Sequence, residues 1–226
     1  MIGVLDSGVG GFNSLKELQR LLPRCDIAYF ADRKNAPYGT RSEDELVALV
    51  SHGIDRLSGL GAEKVLLACC TASSVWEGLD SWQKSISRPI IEWGISPLTG
   101  EEKRVLIIAT EHTVRSGAFG KAIRAHYPLI SVLEVPMQNL VSAVELFVHE
   151  NVSLNLEIEM GKLEKICAAY HPDSLILGCT HFSTVEGKIK QRLPNVKILN
   201  PARLGAFAIA QEASHTSERG RIIYAE

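Results

Sequence analysis

An apolar run that ends in a cysteine and a threonine and then opens a helix occurs twice in this chain, half its length apart. VLLACCTASSVWEG occupies residues 65–78 and LILGCTHFSTVEG residues 175–187. A weaker echo in the same order links GVLDSGVGGF (3–12) with VLIIATEHTVRSGAF (105–119), each a strand, a polar turn and a helix with glycine near its start. A strand–turn–helix unit buries its apolar faces only against other such units. Two rounds of the same pattern therefore predict two similar α/β lobes, with the seam in RPIIEWGISPLTGEEKR, residues 88–104.

The rest of the chain fits this scheme. IGVL (2–5) is a strand that stops at Asp6, Ser7 and a cluster of glycines, and apolar positions 12, 15, 18, 21 and 22 then fall at helical spacing until Pro23. DIAYFAD is a strand, and Ser42 with Glu45 is a capping-box pattern opening a helix whose apolar face carries Leu46, Leu49, Val50, Ile54 and Leu57. KVLLA, RVLIIAT (104–110), ISVLEV, SLILG and VKIL are further strands. Helices are expected over 113–126, 137–150, 155–170, 184–193 and from about 202. The fold class is α/β, with two pseudo-symmetric lobes, each a mostly parallel sheet flanked by helices, and a cleft between them. Residues 1–92 plus about 203–226 form the first lobe and 93–202 the second.

Composition removes several function classes. Of 226 residues 46% are hydrophobic and 22% charged, and no apolar stretch approaches the roughly 20 residues of a membrane helix. The start, MIGVLDSGVGG, has neither the basic nor the long apolar region of a secretory signal, so the expected setting is cytoplasmic. A net charge of −2 with scattered lysines and arginines leaves no footprint for nucleic acid or an anionic membrane, and the expected partner is a small molecule. Five cysteines in a chain of this size make a poor disulfide framework.

Cys69 and Cys179 stand at strand ends just before helices, where open α/β sheets bind ligands and where backbone amides favour a thiolate. A cysteine with an ordinary pKa near 8.5 serves as acid or base close to neutrality. Cys25 and Cys167 lie inside other segments and read as small hydrophobes. Zinc is disfavoured because CC and CxH are poor chelating pairs, and a redox role for Cys69 and Cys70 is disfavoured because the usual spacing is CxxC. DSGVGG is neither GxGxxG nor a P-loop, so a nucleotide is not expected; free amides near Asp6 and Ser7 suit a carboxylate. His181 lies two residues beyond Cys179, and Asp6 is the acid of the other strand end. Two thiols on opposite lobes, each with an ionisable assistant, suit a reaction in which a proton leaves one face of a carbon and another arrives on the opposite face.

The motifs DSGVGG (6–11), YFAD with APYGTRS (29–32, 36–42), ACxTAS (68–73), ATxxTVRSGAF (109–119) and LGCTH (177–181) occur in one order over positions 2–182. In them the chain resembles the cofactor-independent glutamate racemases of the aspartate/glutamate racemase superfamily. The resemblance implies racemisation of free glutamate without pyridoxal phosphate or metal, supplying D-glutamate for peptidoglycan, and a possible homodimer. It implies Cys69 and Cys179 as the acid/base thiols, assisted by Asp6 and His181. It further implies that Ser7, Pro37, Tyr38, Gly39, Thr71, Thr113 and Thr180 hold the substrate. Cys70 occupies the substrate-binding position where the family usually has asparagine, exchanging an amide for a weak thiol donor. Glu145 is the candidate for a glutamate of the loosely matching stretch EVPMQNLVSAVE, and NPARLG stands where an acidic residue is common. A racemase for aspartate or another carboxylate, or a non-catalytic amino-acid-binding descendant, is the alternative.

Overall fold

The computed structural model describes residues 1–213 and 220–225; residues 214–219 and 226, part of the expected first lobe, lie outside the described residues. Among the described residues nine strands form two wholly parallel sheets. β1 (Ile2–Asp6), β2 (Ile27–Ala31), β3 (Lys64–Leu67), β4 (Ser87–Pro89) and β9 (Ile222–Ala225) run in the order β4-β3-β1-β2-β9. β5 (Arg104–Ala109), β6 (Ser131–Pro136), β7 (Ser174–Gly178) and β8 (Lys197–Leu199) run β6-β5-β7-β8. Written from the other edge, the second sheet is β8-β7-β5-β6, the same order as β4-β3-β1-β2. The repeat seen in the sequence is thus a repeat of topology. β1 corresponds to β5, and β3 to β7, so each cysteine follows an equivalent strand.

The central strands β1, β3, β5 and β7 are buried on both faces, and the period of two along them decides which core each side chain enters. Ile2, Val4, Leu66 and Ala68 of the first sheet share one core with Val105, Ile107 and Ile176 of the second. Leu5, Val65 and Leu67 point the other way, toward the helix Glu43–Gly59, and Leu106, Ile108 and Leu175 toward the helices Gln138–Glu150 and Leu154–Tyr170. The shared core is completed by helices Phe12–Leu21, Ile90–Ile95, Ala118–His126 and Pro201–Gln211, which pack between the sheets. Fully buried Phe119 sits in it, beside Gly94 and Gly178.

The expected capping box is present: Ser42 Oγ accepts from the Glu45 amide while the Glu45 carboxylate accepts from the Ser42 amide. Elsewhere the sequence expectation differs in detail. The single helix expected over 113–126 is two helices, Glu111–Ser116 and Ala118–His126, separated by Gly117 at φ +62°, a left-handed conformation that glycine adopts without steric cost. Residues 180–185 form a 3₁₀ turn before the helix Glu186–Arg192. No helix among the described residues is long and apolar enough to cross a membrane.

Candidate active site

In parallel sheets of this order the chain leaves in opposite directions from two neighbouring strands, and the diverging loops open a crevice beyond their carboxyl ends. In the first sheet those strands are β1 and β3, in the second β5 and β7. Asp6 ends β1 and Ser7 follows it, Cys69 follows β3, Thr110 follows β5 and Cys179 follows β7. The two crevices meet in a cavity of about 230 Å³. Ser7, Cys69, Thr71, Cys179, Thr180 and His181 line it, together with the Pro37–Gly39 stretch.

Cys69 is nearly buried and its sulfur lies 3.7 Å from Ser7 Oγ. Burial, reinforced by the Asp6 carboxyl, pushes its thiol up to about 12. Asp6 itself is fully buried behind the cavity wall. Its Oδ2 accepts from the Gly8 amide (3.0 Å) and its Oδ1 from Thr180 Oγ1 (3.2 Å). Burial raises the Asp6 pKa, outweighing the opposing influence of His181 and of these donors. This half of the site is built to hold protons.

The other half is cationic. His181 Nδ1 is 3.6 Å from Cys179 Sγ, and Nε2 is 3.1 Å from Glu145 Oε1. Burial disfavours the imidazolium, but hydrogen bonds with Cys179 and Glu145 and the field of Asp6 overcome it and raise His181 well above its ordinary range. Glu145 is lowered by the same hydrogen bond.

Three threonine hydroxyls meet at the junction of the lobes: Thr71 Oγ1 lies 3.0 Å from Thr110 Oγ1 and 3.2 Å from Thr113 Oγ1, and the latter two are 2.9 Å apart. Thr71 and Thr110 face the cavity, whereas Thr113 stands behind them. Tyr38 is buried and donates to Asp32 Oδ2 over 2.8 Å, which fixes the Pro37–Gly39 wall. Among the described residues there is no group of three or more His, Cys, Asp or Glu arranged to hold a metal ion.

The sequence profile of the Asp/Glu/Hydantoin racemase family matches residues 15–209. The chain belongs to this family. It is 33% identical over 215 residues to a glutamate racemase of Picosynechococcus sp., covering 93% of this chain and 76% of that one. The crystal structure of a Francisella tularensis glutamate racemase in complex with D-glutamate superposes with a TM-score of 0.88 at 27% identity, covering 99% of this chain and 86% of the other. A Bacillus anthracis glutamate racemase isoform gives a TM-score of 0.83 at 26% identity, over the same shares of the two chains.

Within this racemase, Ser7, Pro37, Tyr38, Gly39, Cys69, Thr71, Cys179, Thr180 and His181 are brought to one cavity, with Asp6 and Thr113 immediately behind it. Cys70 is placed differently: buried at the first turn of the helix Cys70–Ser74, it joins the shared core rather than the cavity lining. Four lining residues went unnoticed or little noticed in the sequence: Gln138, Val141, Ser142 and Glu145. They recur at i, i+3, i+4 and i+7 of one helix and so form a single stripe. That periodicity was available, but only the fold shows that this face looks at the cysteines. Thr110, the N-cap of Glu111–Ser116, was also passed over beside Thr113.

Proposed function

We propose that this racemase interconverts L- and D-glutamate without a cofactor, using Cys69 and Cys179 as paired acid and base. The observation that carries the reading is one cavity lined by both sulfurs, each at the end of a topologically equivalent strand. One sulfur, as thiolate, takes the α-proton from one face of the substrate carbon. The electron pair left on that carbon is delocalised into the α-carboxylate. The opposite thiol then delivers its proton to the other face, and the two sulfurs end with exchanged protonation states.

Cys69 is the donor, because burial and Asp6 hold its proton. The His181 cation lies hydrogen-bonded beside Cys179. The α-proton is a weak acid, so the carbanion needs preorganised dipoles in a place screened from water. The hydroxyls of Thr71 and Thr110, which face the cavity, supply such dipoles. Asp6 and His181 act through the sulfurs they adjoin. On this reading the D-glutamate formed serves cell-wall peptidoglycan, and the protein works in the cytoplasm.

The reading is tested by following optical rotation with L-glutamate and with L-aspartate in turn, with no cofactor added. The signal of glutamate is expected to decay to zero. Decay with aspartate alone would move the substrate assignment, and no decay with either would remove the catalytic reading.

A further inference from the structure

A second hollow, of about 630 Å³, opens over the carboxyl ends of β2 and β9, on the other side of the β1–helix turn from the catalytic cavity. Its floor is aromatic. Phe12 and Tyr29 stack with ring centroids 4.9 Å apart at 23°, and Tyr224 meets Tyr29 edge-on at 6.2 Å and 78°. Tyr224 is 61% exposed although it belongs to the edge strand, so a large ring face is left to solvent at the rim.

The rim also carries charge. Arg33 and Lys34 are exposed on the 3₁₀ turn Arg33–Asn35, and neither forms an ion pair with a carboxylate among the described residues. The acid of this wall, Asp32, is engaged from the far side: its carboxylate accepts from Tyr38 Oη at 2.8 Å and from Asn35 Nδ2 at 2.9 and 3.0 Å. What faces the hollow is therefore ring surface beside positive charge. Aromatic faces take planar rings, and guanidinium and ammonium groups take anionic oxygens. The volume falls in the range of small-molecule pockets.

We propose that this hollow is a second ligand site, for a planar aromatic molecule that carries an anionic group. The ring lies against the exposed face of Tyr224, which the buried Tyr29 backs, and the anion faces Arg33 and Lys34. The site shares a wall with the catalytic cavity: Tyr29 Oη donates to the carbonyl of Gly8 at 3.0 Å, and Tyr38, which lines that cavity, is the donor to Asp32. The assignment does not depend on which amino acid is racemised.

The test is calorimetric titration of the whole protein with 2-naphthyl phosphate, with 2-naphthol and inorganic phosphate as its two halves. Saturable binding of one equivalent with Kd below about 1 mM is expected, with each half at least about tenfold weaker. Tyr224→Ala, and separately the double substitution Arg33→Ala with Lys34→Ala, each weaken binding by about fivefold or more, while racemisation without the probe stays at the wild-type rate. Saturating D-glutamate leaves the binding in place. The two charge substitutions are on exposed side chains, so the double variant reads the site even if Tyr224→Ala disturbs the edge strand. Absence of saturable binding, displacement by D-glutamate, or unchanged affinity in the double variant would overturn the proposal.

Discussion

Thr180 Oγ1 donates to Asp6 Oδ1 over 3.2 Å, joining the turn after the second cysteine to the acid that ends the first strand, 174 residues away in sequence. The contact ties the two lobes at the cavity and keeps the buried Asp6 carboxyl beside Cys69. Asp6→Asn keeps the shape but sets an amide NH₂ where a carboxylate oxygen now accepts from Gly8 or Thr180. The expected result is a loss of roughly 10²-fold in kcat with a smaller change in KM, measured by steady-state racemisation. An unchanged kcat would make Asp6 a purely structural residue.

Cys69→Ser and Cys179→Ser each replace a thiol by a hydroxyl far too weakly acidic for the same exchange. Racemisation is expected to fall by roughly 10³-fold or more in each, with the melting temperature nearly unchanged. Retention of substantial activity in either variant would exclude that sulfur from proton transfer.

The Glu145–His181 contact makes a prediction about pH. A histidine whose folded pKa lies above its unfolded value of about 6.5 contributes stability that is fully present below about pH 6.5 and is lost as pH rises through the folded pKa. His181 is such a case, because its partners outweigh burial. Glu145→Gln removes one of them, so the folded pKa falls and the alkaline limb of kcat/KM moves to lower pH. Glu145 is half exposed, which screens its charge, and the shift is expected to stay within about one pH unit. A limb that does not move assigns that titration to a group other than His181.

Gly10 lies against Thr180 and His181 of the other lobe. A Cβ there would meet Thr180 Oγ1, with Thr180 Cβ at 2.9 Å and the His181 backbone nitrogen at 3.0 Å. Because the His181 nitrogen is backbone, rotamer changes cannot relieve that contact. Gly10→Ala is expected to raise KM and lower kcat together, with about 1–3 kcal/mol of lost stability by denaturant unfolding. Wild-type kinetics in this variant would show that the lobes need not approach this closely.

Phe119→Ala tests the shared core. Truncating a fully buried ring is expected to cost about 3–5 kcal/mol. Since side chains of both sheets enclose it, unfolding is expected as one transition, followed by circular dichroism and by intrinsic fluorescence. Separated transitions would mean that the lobes are stabilised independently.

Most of the fold was legible because its signals are local and repeated: apolar runs of strand length, glycine and Asx turns after them, and the same cysteine punctuation twice. The elements that escaped are those without such signals. β4 is the three-residue segment Ser-Arg-Pro, and β9 is a four-residue edge strand following a polar stretch. Their pairing with β3 and β2 is decided by long-range contacts. At the site, Cys69, Cys179 and their turns were readable because strand ends converge in this topology. The stripe Gln138, Val141, Ser142 and Glu145 was not, because a mixed polar and apolar helix face becomes a cavity wall only once its neighbour is known. Cys70 shows the converse: it was assigned to substrate by position in a motif, while the first turn of its helix directs it into the core.

The two-thiol account is tested most directly by running the reaction in deuterium oxide from L-glutamate and from D-glutamate and measuring isotope at the α-carbon early in each reaction. Opposed sulfurs predict that the product enantiomer carries deuterium while the remaining substrate keeps its hydrogen, in both directions. Product that retains the substrate's hydrogen, or enzyme that exchanges no α-proton with either enantiomer, would contradict it.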